Sequence, residues 1–261
     1  MKSILLATLF FTGIGSVQAQ FLELGVHKKS GNALLVYKDG TMVNGIVKNN
    51  EQLFGEREED PLYFKFKEAS SDDFTKVSSA DVKYITLSDR KSNEKTSTYY
   101  PLRIRHVKNK SVFIDTYHTE FHPLQQIGDI KVNKVMHFYD NQLIGNDNYI
   151  QVGGEEYFFM ISALDRRGIK GTAEQMLPLG INCPEYQEYV KNTFLEGEGG
   201  KDILTADWKT LKKNKSEFIN KAMENGYSKK VAKFMLLSER YFSIQKHFID
   251  KYNEFCGSQK D

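Results

Sequence analysis

The sequence has little net charge and few cysteines, prolines or tryptophans. Its 261 residues carry 36 basic and 34 acidic side chains, a formal net charge of +2, with two cysteines, five prolines and one tryptophan. Charges of both signs alternate along the chain, so they supply no broad field that would attract nucleic acid or an anionic membrane. The composition is still 40% hydrophobic and 13% aromatic, which suffices for a packed core and excludes wholesale disorder.

Catalytic and cofactor motifs are also missing. The sequence has no Gly-x-Ser-x-Gly pattern, so the strand-to-helix elbow that exposes a nucleophilic serine is not predicted. The pair Gly153-Gly154 lacks the lysine and the spacing of a phosphate loop and is typical of a hairpin turn. Carboxylates are plentiful, but an acid–base pair is defined by separation in space and not by sequence. The catalytic residues therefore stay unknown, and no cofactor is expected.

Apolar runs long enough to cross a membrane are absent, and the longest apolar run lies at the N-terminus. Lys2 precedes apolar residues at 4–11, and a small-residue stretch follows at 16–19. These are the three parts of a secretory signal peptide, whereas a membrane-spanning helix needs roughly 20 continuous apolar residues. The sequence predicts a signal peptide over 1–19, cleaved after Ala19. The mature chain, from Gln20, is then a soluble secreted or periplasmic protein that does not span a membrane.

The first half of the chain has the pattern of β structure. Apolar runs on either side of Asp39-Gly40 predict a hairpin, because these residues tolerate the positive φ of a tight turn. Residues 62–67 alternate between apolar and polar side chains, as a half-buried strand does. Gly153-Gly154 separates two further β-rich runs. We therefore expect a β-rich unit over 20–160 whose strands are antiparallel.

The second half has helical periodicity. Thr172 with Gln175 predicts a capped helix start, and Pro184 suits the first turn of another helix. One helix is expected from Thr205 to Asn225, and Ser228 is expected to open the longest helix, which packs antiparallel to it. A helical unit over 161–261 follows, so the predicted fold class is α+β: an N-terminal antiparallel β unit followed by a C-terminal helical unit.

The best candidate metal ligands are His118, Glu120 and His122. On a strand over 111–122 these side chains project from one face at two-residue steps. Two imidazoles and a carboxylate could bind zinc and leave a position open for water. The alternative is an exposed polar strand face with two ordinary histidines.

Four short stretches resemble a known group of proteins. Residues 37–47 and 81–85 resemble the N-terminal β module of uncharacterised exported proteins from Bacteroidetes-like bacteria. Residues 182–186 and 251–256 are similar to motifs in the helical tail of some of these proteins. The resemblance implies an exported location and the β-then-helix architecture. It implies no activity.

The two cysteines are expected to form an intramolecular disulfide. An exported protein meets an oxidising environment, and the count is even. Cys256 continues the apolar stripe of the last helix, and Cys183 precedes the Pro184 helix in the same unit. The alternative is two separate buried thiols.

Three functions remain open at this stage. The first is a non-enzymatic binding or envelope-associated protein whose partner is an envelope or extracellular protein or a polymer, and not nucleic acid. The second is a secreted hydrolase, metal-assisted through His118 and His122. The third is a carrier of a small lipid or sugar.

Overall fold

The computed structural model describes residues 20–23, 31–49, 51–54, 59–88, 96–109, 112–139, 142–162, 168–197 and 205–257. The predicted signal peptide lies outside the described residues. Strands extend to Ser162, and the helical region begins at Gly168. An antiparallel-dominated sheet followed by helices confirms the α+β prediction.

Twelve described strands form the sheet. They are β1 (Gln20–Glu23), β2 (Gly31–Tyr37), β3 (Met42–Val47), β4 (Tyr63–Glu68), β5 (Thr75–Ser78), β6 (Val82–Ser88), β7 (Thr96–Lys108), β8 (Val112–His122), β9 (Gln125–Ile127), β10 (Ile130–Tyr139), β11 (Gln142–Gln151) and β12 (Tyr157–Ser162). Their order is β1-β10-β11-β12-β7-β6-β2-β3-β4-β5, with β8 beside β7 and β9 beside β10. Most pairs are antiparallel, as predicted. The exceptions are β1–β10 and β12–β7, which are parallel.

Strand β7 pairs with strands in both halves of the sheet, one half made of β2–β6 and the other of β1 and β8–β12. Residues 96–99 pair with β6, and residues 100–108 pair with β8. Arg103 and Ile104 also pair with β12. A strand of ordinary length could not reach all three partners, so the 13 residues of β7 join the halves.

The predicted hairpin turns are present. Asp39-Gly40 connects β2 and β3, with Gly40 at φ +93°. The backbone N–H of Thr41 donates to Oδ1 of Asp39 at 2.8 Å, which fixes the turn. Gly153-Gly154 lies between β11 and β12, and Gly154 has φ +77°.

The helices are α1 (Glu51–Phe54), α2 (Gly168–Met176), α3 (Pro184–Val190), α4 (Thr205–Lys213), α5 (Lys215–Glu224) and α6 (Lys229–Cys256). Ser228 caps α6 as predicted, since its side chain accepts a hydrogen bond from the N–H of Val231. Two other predictions are wrong. Thr172 lies inside α2, where its hydroxyl donates to the carbonyl of Gly168, and the span from Thr205 to Asn225 is divided at Asn214.

Two large apolar cores hold the fold together. The first lies among β2–β8 and includes Leu35, Phe64, Phe66, Ile85 and Phe121, all at most 1% exposed. The second core is built jointly by the sheet and the helices. Its fully buried members come from β10–β12 and from α2, α3 and α6: Val132, Ile150, Phe159, Met176, Tyr186 and Phe248. The helical layer therefore packs directly on the sheet.

The contact between the β11–β12 turn and α6 can be tested at Gly153. A Cβ at Gly153 would overlap the ring of Tyr252 in α6, whereas one at Gly154 would meet nothing within 4 Å. Gly153→Ala should lower the free energy of unfolding by about 3 kcal/mol through overpacking. Gly154→Ala should cost about 1 kcal/mol, because only its positive φ resists a side chain. Urea denaturation measures both, and equal losses would contradict the packing argument.

Candidate functional site

The side chains of His118, Glu120 and His122 lie together on the inner face of β8, as the two-residue spacing predicted. Nε2 of His122 is 2.6 Å from Oε2 of Glu120, and Nε2 of His118 is 3.3 Å from Oε1. The carboxylate thus lies between the two imidazoles. The strand face is not exposed, since Glu120 is 2% and His122 1% exposed.

Two further residues complete this cluster and were not predicted from the sequence. The hydroxyl of Tyr149 in β11 donates to Oε2 of Glu120 at 3.2 Å, and its ring stacks on His122 with centroids 4.5 Å apart. Nε2 of His106 in β7 lies 2.8 Å from Nδ1 of His118. Both contacts depend on strand pairing that local sequence does not specify. The one signal in the sequence is a β-rich pattern at about 98–107, which also predicts a strand and includes His106.

The two imidazoles determine the charge state of Glu120. Burial alone would raise the pKa of Glu120, but the close contacts and positive charge of His118 and His122 outweigh it. The pKa therefore lies well below its ordinary value of 4.5. Glu120 is a buried carboxylate that stays ionised at neutral pH.

Zinc ligation by His118, Glu120 and His122 stays a prediction. Oε1 of Glu120 and Nδ1 of His122 are buried and have no hydrogen-bond partner among the described residues. The His118 nitrogen beside Oε1 is within ion-pair distance but is not aligned for a hydrogen bond. These free lone pairs fit a metal ligand, whereas the pairing of Oε2 with His122 and Tyr149 competes with one.

Donor atoms that converge within 4.8 Å of one another, in the part of the chain described, belong to Cys183, Glu185 and Cys256. The two sulfur atoms of that group lie at disulfide distance, and the Cα atoms are 6.3 Å apart. A bonded sulfur is not the thiolate that binds a metal. The geometry is the one that the disulfide prediction requires, because a bond closes without backbone movement below about 7 Å.

The opposite face of β7 and β8 carries a different set of side chains, which we call the arginine–aromatic surface: Arg103, Arg105, Phe113, Tyr117 and Tyr157. The guanidinium carbon of Arg105 lies 4.9 Å from the ring centroid of Phe113, 5.5 Å from that of Tyr117 and 5.3 Å from that of Tyr157. Arg103 lies 4.0 Å from the ring of Tyr117. All five side chains are half-buried except Arg103, which is exposed.

The two arginines differ in their partners. Nε of Arg103 donates to Oδ2 of Asp60 at 2.6 Å, an ion pair that neutralises it. Arg105 donates to the carbonyl of Ile114 and, through Nη1, to the hydroxyl of Tyr157. Among the described residues Arg105 forms no ion pair. It is a half-buried cation on an aromatic platform with hydrogen-bonding capacity left over.

Glu120 should make stability depend on pH in the acid range. Its pKa is lower folded than unfolded, so the stability it contributes is present above pH 4.5 and is lost as the pH falls. Glu120→Gln should lower the free energy of unfolding at pH 7 by about 2 kcal/mol, the worth of hydrogen bonds to a charged group. Urea denaturation should show this difference narrowing below pH 4.5. Glu224→Gln, at an exposed position, is the matched control, and parallel curves for Glu120→Gln and the wild type would contradict the assignment.

The cysteine pair should be oxidised in the mature protein. Material purified without reductant should show no free thiol even when unfolded. The 73-residue separation corresponds to an entropic contribution of about 4 kcal/mol, so reduction should lower stability by up to that amount. Thiol titration in denaturant, with Cys183→Ser/Cys256→Ser as the control, measures this. Two titrating thiols in unreduced wild type would show the prediction wrong.

No family model, curated protein or solved structure matches this chain. No helix among the described residues is both long enough and apolar enough to cross a membrane. The buried cluster around Glu120 and the arginine–aromatic surface are the two candidate functional features of the described residues.

Proposed function

We propose that this chain is an exported, soluble, non-enzymatic protein that binds another protein through the arginine–aromatic surface. The observation that carries the proposal is Arg105. Its guanidinium is half-buried among three aromatic rings and has no carboxylate partner in the described residues. A desolvated cation without a counter-ion costs free energy in the isolated protein, and a partner's carboxylate would recover it.

The chemistry of the surface favours a protein partner. Arginine and tyrosine are enriched among the residues that dominate interface energies, because they combine a large rigid area with polar groups. A guanidinium that stacks on aromatic faces keeps the N–H groups along its edge available to bind both oxygens of a carboxylate. The aromatic rings hold Arg105 in place through edge-to-face contacts with one another, such as Phe113 with Tyr157 at 5.4 Å. A pre-ordered arginine loses little entropy on binding.

The position of the surface also supports this proposal. Phe113, Tyr157 and Val107 pack at the margin of the second core, beside the strands that the helices cover. Arg103, at the far side of the same face, is exposed. The described helices thus end near Arg105, and the guanidinium of Arg103 beside it is exposed.

The hydrolase alternative has less support from the geometry. The cluster of His118, Glu120 and His122 has the residue types for metal-assisted hydrolysis, but Glu120 and His122 are buried. The scissile bond of a substrate would have to reach these buried side chains, and the carboxylate of Glu120 already contacts both imidazoles. The carrier alternative requires a cavity, whereas large side chains such as Phe64, Phe66 and Phe121 fill the core of the β unit.

Replacement of Arg105 tests the proposal. The mature protein, immobilised, should recover a specific protein from bacterial envelope extract. Arg105→Ala should weaken that complex by about 2 kcal/mol, roughly 30-fold in Kd, as loss of a central interface arginine does. Arg105→Lys should also weaken it, because lysine keeps the charge and loses the fork.

Lys230→Ala removes an equal charge from an exposed position on α6 and is the matched control. Thermal unfolding should show that the Arg105 variants remain folded. Equal recovery by wild type and Arg105→Ala, or turnover of a substrate in a hydrolase panel without any specific partner, would reject the proposal.

A further inference from the structure

Three neighbouring strands carry a row of lysines on their outer face, at the opposite end of the sheet from the strands that α2, α3 and α6 cover. Lys48 follows β3, and its backbone N–H donates to the carbonyl of Lys65 in β4 at 3.0 Å. Lys65 is in turn the direct cross-strand partner of Lys76 in β5. We call Lys48, Lys65 and Lys76 the lysine row; all three are exposed.

Repulsion between the ammonium groups of this row lowers the stability of the isolated protein. Like charges directly opposite one another on a sheet are destabilising, and adjacent strands lie only about 4.8 Å apart. Lys67, two residues further along β4, adds a fourth cation to the same face. In the part of the chain that the structure describes, Lys65, Lys67 and Lys76 form no ion pair. Within the described residues, carboxylates therefore do not neutralise the repulsion among these three ammonium groups.

Aromatic rings lie on either side of the row. Lys76 Nζ is 4.1 Å from the ring centroid of Tyr63, and the ammonium groups of Lys48 and Lys67 are each 5.7 Å from that of Phe74. Tyr63 is 40% and Phe74 37% exposed, high values for such large rings. The face presents a line of cations with an exposed ring at each side.

We propose that the face of the lysine row binds an acidic polysaccharide, with carboxylates of the polymer near the ammonium groups of Lys65, Lys67 and Lys76. A polyuronate carries one carboxylate on every sugar, so its negative charge complements a face of closely spaced cations. Its pyranose rings have apolar C–H faces that pack on aromatic rings such as Tyr63 and Phe74. Lysine suits such a ligand, because a compact, flexible cation adapts to a polymer better than the fixed fork of arginine does. The site is separate from the arginine–aromatic surface and does not depend on the function proposed for it.

Two other classes of ligand, nucleic acid and anionic membranes, fit the lysine row less well. Single-stranded nucleic acid would need a continuous basic groove with stacking bases, and the row spans only three strands. An anionic membrane would attract the lysines, but two half-exposed rings supply little area for insertion. Both are direct comparisons in the experiment.

The test uses the full mature protein and sodium polygalacturonate oligomers in calorimetry at low and moderate salt. Wild type should bind, with affinity falling as salt rises, because each contact releases counterions. Lys65→Gln/Lys76→Gln should weaken binding at least tenfold and should unfold no earlier than wild type, since two repelling charges are removed. Tyr63→Ala should also weaken binding. The matched control, Lys230→Gln/Lys233→Gln on α6, should bind as wild type does.

Neutral dextran, oligo-dT and phosphatidylglycerol vesicles are the comparison ligands. No binding of polygalacturonate at low salt, equal affinity for wild type and Lys65→Gln/Lys76→Gln, or tighter binding of oligo-dT or vesicles would overturn the proposal. Arg105→Ala should leave polygalacturonate binding unchanged, so failure at one surface is distinguishable from failure at the other.

Discussion

The sharing of β7 between the two halves of the sheet is the constraint on which both candidate sites depend. Side chains alternate across a strand, so one element presents Leu102, Ile104 and His106 inward and Arg103 and Arg105 outward. Pairing with β8 then brings His118 and Glu120 to the inner set and Tyr117 to the outer set. The parallel contact with β12 adds Tyr157 to the outer set. A buried polar cluster and an exposed cationic surface are thus two sides of one strand pair.

The sequence predicted what depends on local periodicity and turn chemistry. Alternation placed His118, Glu120 and His122 on one face, and Asp39-Gly40 specified the first hairpin. Burial of Glu120 and His122 could not be predicted, because it depends on Tyr149, which is 27 residues or more away in the sequence and comes from β11. The parallel pairs were missed for the same reason: neither short turns nor alternation encodes a distant partner.

The helix errors have a local cause. Thr172 with Gln175 matched the spacing of a capping box, but Gly168 at φ +67° begins α2 one turn earlier. Thr172 then uses its hydroxyl on the carbonyl four residues before it, a bond available to any threonine within a helix.

The cysteine prediction depended on a longer pattern, the apolar stripe of α6, and the structure brings both residues to disulfide distance. The lysine row could not be predicted from the overall charge balance, because strand register, and not composition, aligns Lys48, Lys65 and Lys76.

The irregular pairing of β7 with β8 has a consequence for how this chain can change in length. Arg105 pairs with Tyr117 and Val107 with Phe113, so two steps along β7 oppose four along β8. Residues 114–116 oppose His106 alone, two more than regular pairing needs, and they keep Phe113 and Tyr117 on the same side of the strand as Arg105. Loss of a single residue there would exchange Phe113 for Val112 on that side, whereas loss of two would preserve it. Related chains that keep the arginine–aromatic surface should therefore differ at this point by even numbers of residues.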